Sequence, residues 1–270
     1  MDVNVVYKNY IGNGMNSIIQ EFRKSGAKDD GSVICFSFAG GGANSFCDWG
    51  SYLPANIGLY AVRLPGRETR MNEEPHNSLS DLLDELSNDN HFKQLISKPL
   101  FLYGHSLGAL IAYELACRLK LLSNPNLLSL IVSGRVAPQC ALNRPPIHNL
   151  SDKEFIGSLK SLGGTPEEVL SDEKLMNVLI PILRADFSIN ENYVYRDREK
   201  LSCNISAFGG LVDSEVTRAQ MNQWKEVTDG NLNVRMIPGD HFFIRSAKTL
   251  FLRMLSIEII NQLKLFKQKT

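Results

Sequence analysis

Short apolar runs alternate with helical stripes along most of this 270-residue chain. Val33–Phe38, Leu59–Leu64, Leu100–Tyr103, Leu127–Ser133, Ile205–Gly209 and Asn233–Ile237 are strand-length runs without strict polar alternation. That pattern predicts strands buried on both faces. Between them lie residues spaced for one face of a helix. Leu79, Leu82, Leu83 and Leu86 form one stripe, extended by Phe92, Leu95 and Ile96. Leu107, Ile111, Leu115, Leu119 and Leu122 form another, over residues 107–122. Ser78 and Asp81 predict a capping box at the first stripe, and Pro65-Gly66 and Pro99 punctuate the runs. Strands alternating with helices imply right-handed crossovers and a mostly parallel sheet, an α/β chain.

The rhythm breaks after residue 140. From Ala141 to Leu201 the chain predicts helices and no strand. Ser151 and Glu154 read as a capping box. Thr165-Pro166-Glu167-Glu168 reads as a cap, a proline at the first helical position and a carboxylate two residues on. Leu175 to Tyr195 reads as helical with a break near Pro181. Several consecutive helices exceed what one crossover needs, so residues 141–200 are expected to be a helical lid insertion rather than ordinary crossover helices. Residues 1–140 and 201–270 are then the core. A helix capped by Thr217 with Gln220 runs to Val227, and an amphipathic helix over Ala247–Phe266 closes the chain. Residues 1–31 are poorly periodic and end in a turn signal, Lys28-Asp29-Asp30-Gly31.

Composition narrows the possibilities. The length and a hydrophobic content of 43% suit one sizeable α/β domain, or one domain with an inserted subdomain. Lys+Arg and Asp+Glu both number 29, a net charge of zero that argues against an electrostatic nucleic-acid binder. The basic stretch Leu263–Lys269 suits a helix C-terminus better than a membrane patch. No run is long enough to span a membrane, and the first residues lack the pattern of a secretory signal. The five cysteines are widely spaced, with no C-x-x-C pair. That disfavours a disulfide framework and a zinc site, and a reduced cytoplasmic setting is expected.

The chemistry centres on Gly104-His105-Ser106-Leu107-Gly108. The pattern G-x-S-x-G falls between a strand and a helix, where a tight turn leaves no room for a Cβ on either side. Ser106 is read as a nucleophile rather than a simple cap. It needs a base. Of five histidines, His76, His91, His105 and His148 lie elsewhere in the pattern, and His241 follows the last strand. The chain order serine, acid, histidine selects His241 as base and Asp213, after the Ile205–Gly209 strand, as acid. Glu215, Asp240 and Asp186 are the other carboxylates considered. Backbone donors for an oxyanion are expected from Leu107 and from the turn after Phe38, with Ala39 first and Gly40 second. The Gly40-Gly41-Gly42 run lacks the lysine and hydroxyl residue of a phosphate loop.

Several segments in order make the chain resemble the type II thioesterases, the stand-alone α/β-hydrolases that accompany nonribosomal peptide and polyketide synthases. They are Cys35–Ala43, Leu64-Pro65-Gly66-Arg67-Glu68, Gly104–Ala109, Val132–Pro138, Pro181–Phe187, Ala207–Gly210 and Pro238–Phe243. The resemblance implies an α/β-hydrolase fold with a lid. It implies an enzyme that hydrolyses acyl groups from the phosphopantetheine arm of acyl or peptidyl carrier proteins, with no metal or diffusible cofactor. Medium-chain fatty acyl thioesters, carboxylic esters and an inactive carrier-binding module are the alternatives. A monomer is expected, with neither nucleic acid nor membrane as partner. Phe38, Gly40, Phe187 and Phe242 are candidate substrate contacts. Phe155, Leu159, Leu162, Leu175, Met176 and Leu179 are candidate lid residues over the acyl pocket.

Overall fold

A computed structural model describes residues 17–24 and 30–268. The turn signal at Lys28-Asp29, the N-terminal residues searched for a leader and the last lysine of the basic stretch lie outside them. The apolar runs form β2 (Gly31–Phe36), β3 (Ile57–Val62), β4 (Leu100–His105), β5 (Leu127–Ser133), β6 (Asn204–Gly210) and β7 (Leu232–Ile237). A further strand, β1 (Ile19–Arg23), completes a seven-stranded sheet in the order β1-β3-β2-β4-β5-β6-β7. All pairings are parallel except that of β1 with β3.

Alternate strand residues feed two cores. Ile34, Leu102 and Val132 face one side, where α3 (Leu107–Leu121) packs with α1 (Leu79–Asn88) and α2 (Asn90–Leu95). Val33, Tyr103 and Phe208 face the other, under Phe251, Leu255 and Ile259 of α9 (Lys248–Lys267). Each core buries one of the two tryptophans completely enough to exclude water: Trp224 with α3, Trp49 with α9. Side chains of this size stabilise by about 1.5–3 kcal/mol each when fully buried.

Between β5 and β6 lie α4 (Asp152–Leu162), α5 (Glu167–Leu170) and α6 (Glu173–Glu191). They share a small separate core of Ile147, Phe155, Leu159, Met176, Leu183 and Phe187. Ser151 and Glu154 form the expected capping box on α4, as do Thr217 and Gln220 on α7 (Arg218–Asn222). A 3₁₀ turn continues α7 to Val227, and α8 (Phe243–Ser246) precedes α9.

Four expectations need correction. The stripe from Leu79 to Ile96 is two helices, because Asp89 caps α2 by accepting from the Phe92 N–H at 2.8 Å. At Ser78 only half of the capping box forms: its hydroxyl accepts from the Asp81 N–H. Pro166, not Thr165, is the cap of α5; its extended backbone (φ −58°, ψ 146°) keeps it outside the helix. Helix α6 runs through Pro181 without a break, held by an Asp172 cap before it and by buried Ile182 and Leu183 after it. Among the described residues no helix is long and apolar enough to cross a membrane.

Candidate active site

The sheet order reverses at β2, whose neighbours β3 and β4 run off in opposite directions. The crevice outside the carboxyl ends of the strands at such a switch point is where α/β sheets bind ligands. Phe38 and Ala39 follow β2 there, and Ser106 follows β4. A cleft open to solvent is lined by both of these segments, by Arg135 after β5, by His241 and Phe242 after β7, and by α6.

Ser106 has φ 54° and ψ −116°, a strained conformation for a residue with a side chain. The turn that holds it is packed to the limit. A Cβ on Gly104 would lie 2.1 Å from the Gly108 oxygen, and one on Gly108 would lie 2.1 Å from the Phe36 oxygen. Only hydrogens fit at these two positions, so strand and helix meet backbone to backbone. The Ser106 N–H bonds the Ser133 oxygen at 2.8 Å, which ties the turn to β5. Ser106 makes no side-chain capping bond to α3, so it is not serving as that helix's cap. Leu107 is the first residue of α3, and its N–H has no partner within the helix.

His241 and Ser106 line the same cleft. His241 Nδ1 bonds Asp213 Oδ2 at 3.0 Å, and the Asp213 carboxylate is fully buried. Its other oxygen accepts from the Glu215 N–H at 2.8 Å. Both bonds fix the carboxylate, and the first leaves Nε2 as the ring nitrogen free to meet a serine proton. The other carboxylates are engaged elsewhere. Glu215 accepts from Arg144, Asp240 from the Phe242 N–H, and Asp186 from Arg67.

His105 is buried beside His241, ring centroids 5.1 Å apart. Its Nδ1 meets the Ser133 hydroxyl at 2.8 Å. Burial, with the nearby charges of His241 and Arg245, holds its pKa well below the ordinary histidine value. It is therefore neutral and packs against His241. Phe38 and Phe242 stack edge to face at 5.2 Å, with the Arg245 guanidinium over both rings.

The loop after β2 is held by the Leu64–Glu68 segment. Arg67 makes a buried bidentate pair with Asp186 of α6, at 2.6 and 2.9 Å, and donates to the Gly41 oxygen at 3.1 Å. Asp186 Oδ2 also accepts from the Gly40 N–H at 2.7 Å. Glu68 accepts from the Ala43 and Asn44 N–H groups at 3.0 and 2.7 Å. Ala39 thus reaches the cleft, whereas Gly40 does not line it and its N–H is committed to Asp186. The Gly40 N–H, second of the two oxyanion donors expected, is thus already occupied.

Phe38, Phe187 and Phe242 line the cleft, with Leu159 and Leu162 from α4. Phe155 and Met176 instead fill the small core beneath, Leu179 packs against it, and Leu175 is exposed. The sequence reading missed Arg135, Leu183 and Asn190 as lining residues. It also gave no role to Arg67 or to its bond with Asp186. Leu183, Phe187 and Asn190 are spaced for one face of α6, the signal that was available. Among the described residues no three His, Cys, Asp or Glu side chains gather as metal ligands.

A strained serine after a strand, a buried Asp–His pair and an adjacent helix start thus share one cleft at the edge of an α/β sheet. The thioesterase domain family matches residues 32–257, and the chain belongs to that family of thioester hydrolases. It is 42% identical to gramicidin S biosynthesis protein GrsT of Aneurinibacillus migulanus, over 80% of this chain and 84% of that one. It is 33% identical to the medium-chain S-acyl fatty acid synthase thioesterase of Rattus norvegicus, over 78% and 81% of the two chains. The solved structure of the type II thioesterase BorB from the borrelidin biosynthetic cluster superposes with a TM-score of 0.80 at 31% identity, covering 93% of this chain and 100% of that one.

Proposed function

We propose that this protein is a stand-alone type II thioesterase that clears acyl groups from the phosphopantetheine arms of acyl or peptidyl carrier proteins. The observation that carries the reading is the bond between His241 and buried Asp213 in the cleft that holds strained Ser106. GrsT, named for gramicidin S biosynthesis, and BorB, a type II thioesterase from the borrelidin biosynthetic cluster, support the setting.

In this reading Ser106 Oγ attacks the thioester carbonyl while His241 Nε2 takes its proton. The Leu107 and Ala39 N–H groups receive the oxyanion. The intermediate collapses to acyl-serine. The thiolate leaves and takes the proton from His241. Water then gives a proton to His241 as its oxygen attacks the acyl-serine, and Ser106 is regenerated with release of the acid. Asp213 keeps Nδ1 protonated and stabilises the imidazolium. No cofactor enters any step. Residues 141–200 act as the lid, and the enzyme works as a cytoplasmic monomer.

The test is hydrolysis of an acyl-carrier protein beside a matched oxoester, by wild type and by Ser106→Ala. The thioester should be preferred, and the variant should lose at least about a thousandfold in kcat while still binding the carrier. A strong oxoester preference, or an active Ser106→Ala, overturns the reading. A medium-chain fatty acyl substrate is the second reading, favoured by the apolar Leu159, Leu162, Leu183 and Phe187 wall. Faster turnover of octanoyl than of short or aminoacyl carriers would establish it.

A further inference from the structure

Arg135 stands in the cleft wall with its charge uncompensated. Its residue is 5% exposed, and burial pushes its guanidinium down to about 10, so it is still a cation at neutral pH. No carboxylate among the described residues pairs with it. Its side chain makes one protein hydrogen bond, from Nη1 to Asn190 Oδ1 of α6, and Nε has no partner. Arg67 and Arg144 differ. Arg67 is as buried and has the Asp186 carboxylate in bidentate contact. Arg144 lines the same cleft and is neutralised by Glu191 at 2.6 Å and Glu215 at 3.1 Å. The Tyr193 phenol, which acts electrostatically on Arg135, donates a hydrogen bond to Glu114 at 2.6 Å. The acids nearby are thus spent on other cations.

The group is also held in place. Trp224 Nε1 donates to the Arg135 carbonyl at 3.0 Å, the Gly134 N–H bonds the Phe208 oxygen at 2.9 Å, and Asn190 orients the side chain. An isolated buried cation is costly unless an acceptor completes it. Arg135 lines the same cleft as Ser106 and His241, so a chain bound at the serine runs past it.

We infer that Arg135 and Asn190 form a polar subsite in the acyl cleft, one that takes an oxygen acceptor carried by the acyl chain near its thioester end. A ketone, an amide carbonyl and a carboxylate share that chemistry. The substrate class is then oxygenated acyl groups, as on polyketide and peptidyl carriers, in preference to plain alkyl chains. The inference rests on the thioesterase reading above.

The experiment compares acetoacetyl, malonyl and butanoyl groups on one carrier protein. Wild type should favour an oxygenated chain over butanoyl in kcat/KM by about 10- to 100-fold, the worth of a charge-assisted hydrogen bond. Acetoacetyl ahead of malonyl identifies a neutral carbonyl as the acceptor; the reverse order identifies a carboxylate. In Arg135→Met the ratio should collapse towards one. Asn190→Asp places an internal carboxylate against the guanidinium. It should abolish the same preference while raising the unfolding midpoint, which keeps the test open should Arg135→Met fail to fold. Equal rates for all three thioesters in wild type, or a preference that survives both substitutions, overturn the subsite and leave the thioesterase reading standing. No hydrolysis of any of the three overturns both.

Discussion

Gly134 sits at φ +58°, and a Cβ there would fall 2.5 Å from His105 Cε1 and 3.2 Å from His241 Cε1. Alanine at 134 therefore pushes on two imidazoles at once. Gly134→Ala should cost about 1–2 kcal/mol of stability from the left-handed backbone. It should cost far more in turnover, about a hundredfold in kcat, by displacing the base. Steady-state kinetics beside a urea titration separate the two effects. The strained turn at Ser106 was legible in the sequence because it can be built only with glycine on both sides, and that demand is local. His241 and Asp213 were legible from chain order after recognisable strands. The support around them was not. The His105–Ser133 bond and the contact of Gly134 with both rings join the ends of neighbouring strands, and no spacing along the chain encodes them. Arg135 was quoted as part of a motif, yet its missing carboxylate is a property of what surrounds it.

The Arg67–Asp186 pair joins three elements: the Leu64–Glu68 segment, the loop after β2 and helix α6. Breaking it leaves a buried cation alone and releases the Gly40 N–H, next to Ala39. Asp186→Ala should destabilise by about 3–5 kcal/mol in urea unfolding. It should lower kcat more than it raises KM, because the oxyanion loop loses its anchor while the acyl wall keeps its apolar residues. An unchanged kcat would show that the loop holds itself. Most strands and long helices could be read from periodicity, since their burial is continuous. Strand β1 could not: it has five residues, is half-buried and pairs antiparallel at the sheet edge, so its pattern barely differs from a loop. Pro181 misled in the other direction. A proline inside a helix costs about 3 kcal/mol or more, and the buried contacts of α6 on either side outweigh it.

At the level of the whole molecule, a broad two-faced sheet carries a much smaller helical roof. The α4–α6 segment has its own limited core and is tied down by Glu191, which accepts from Arg144, His148 and the Ile147 N–H. Segments with fewer buried contacts open first. Burial alone would raise the Glu191 pKa, but bonds from His148, Arg144 and two backbone N–H groups hold it below the usual carboxylate value. A depressed folded pKa contributes stability above the unfolded value, about 4.5, and that contribution is lost as pH falls through the folded one. Activity should therefore disappear at lower urea than tryptophan fluorescence, and the gap should widen below about pH 4.5. Coincident curves would make roof and sheet one cooperative unit. Because Trp49 and Trp224 sit on opposite faces of the sheet and the roof contains no tryptophan, the molecule carries two separate gauges. Its fluorescence reads the frame and its turnover reads the cover. A variant that loses both is a folding defect; one that falls silent while still glowing as the native protein does has lost its chemistry or its roof.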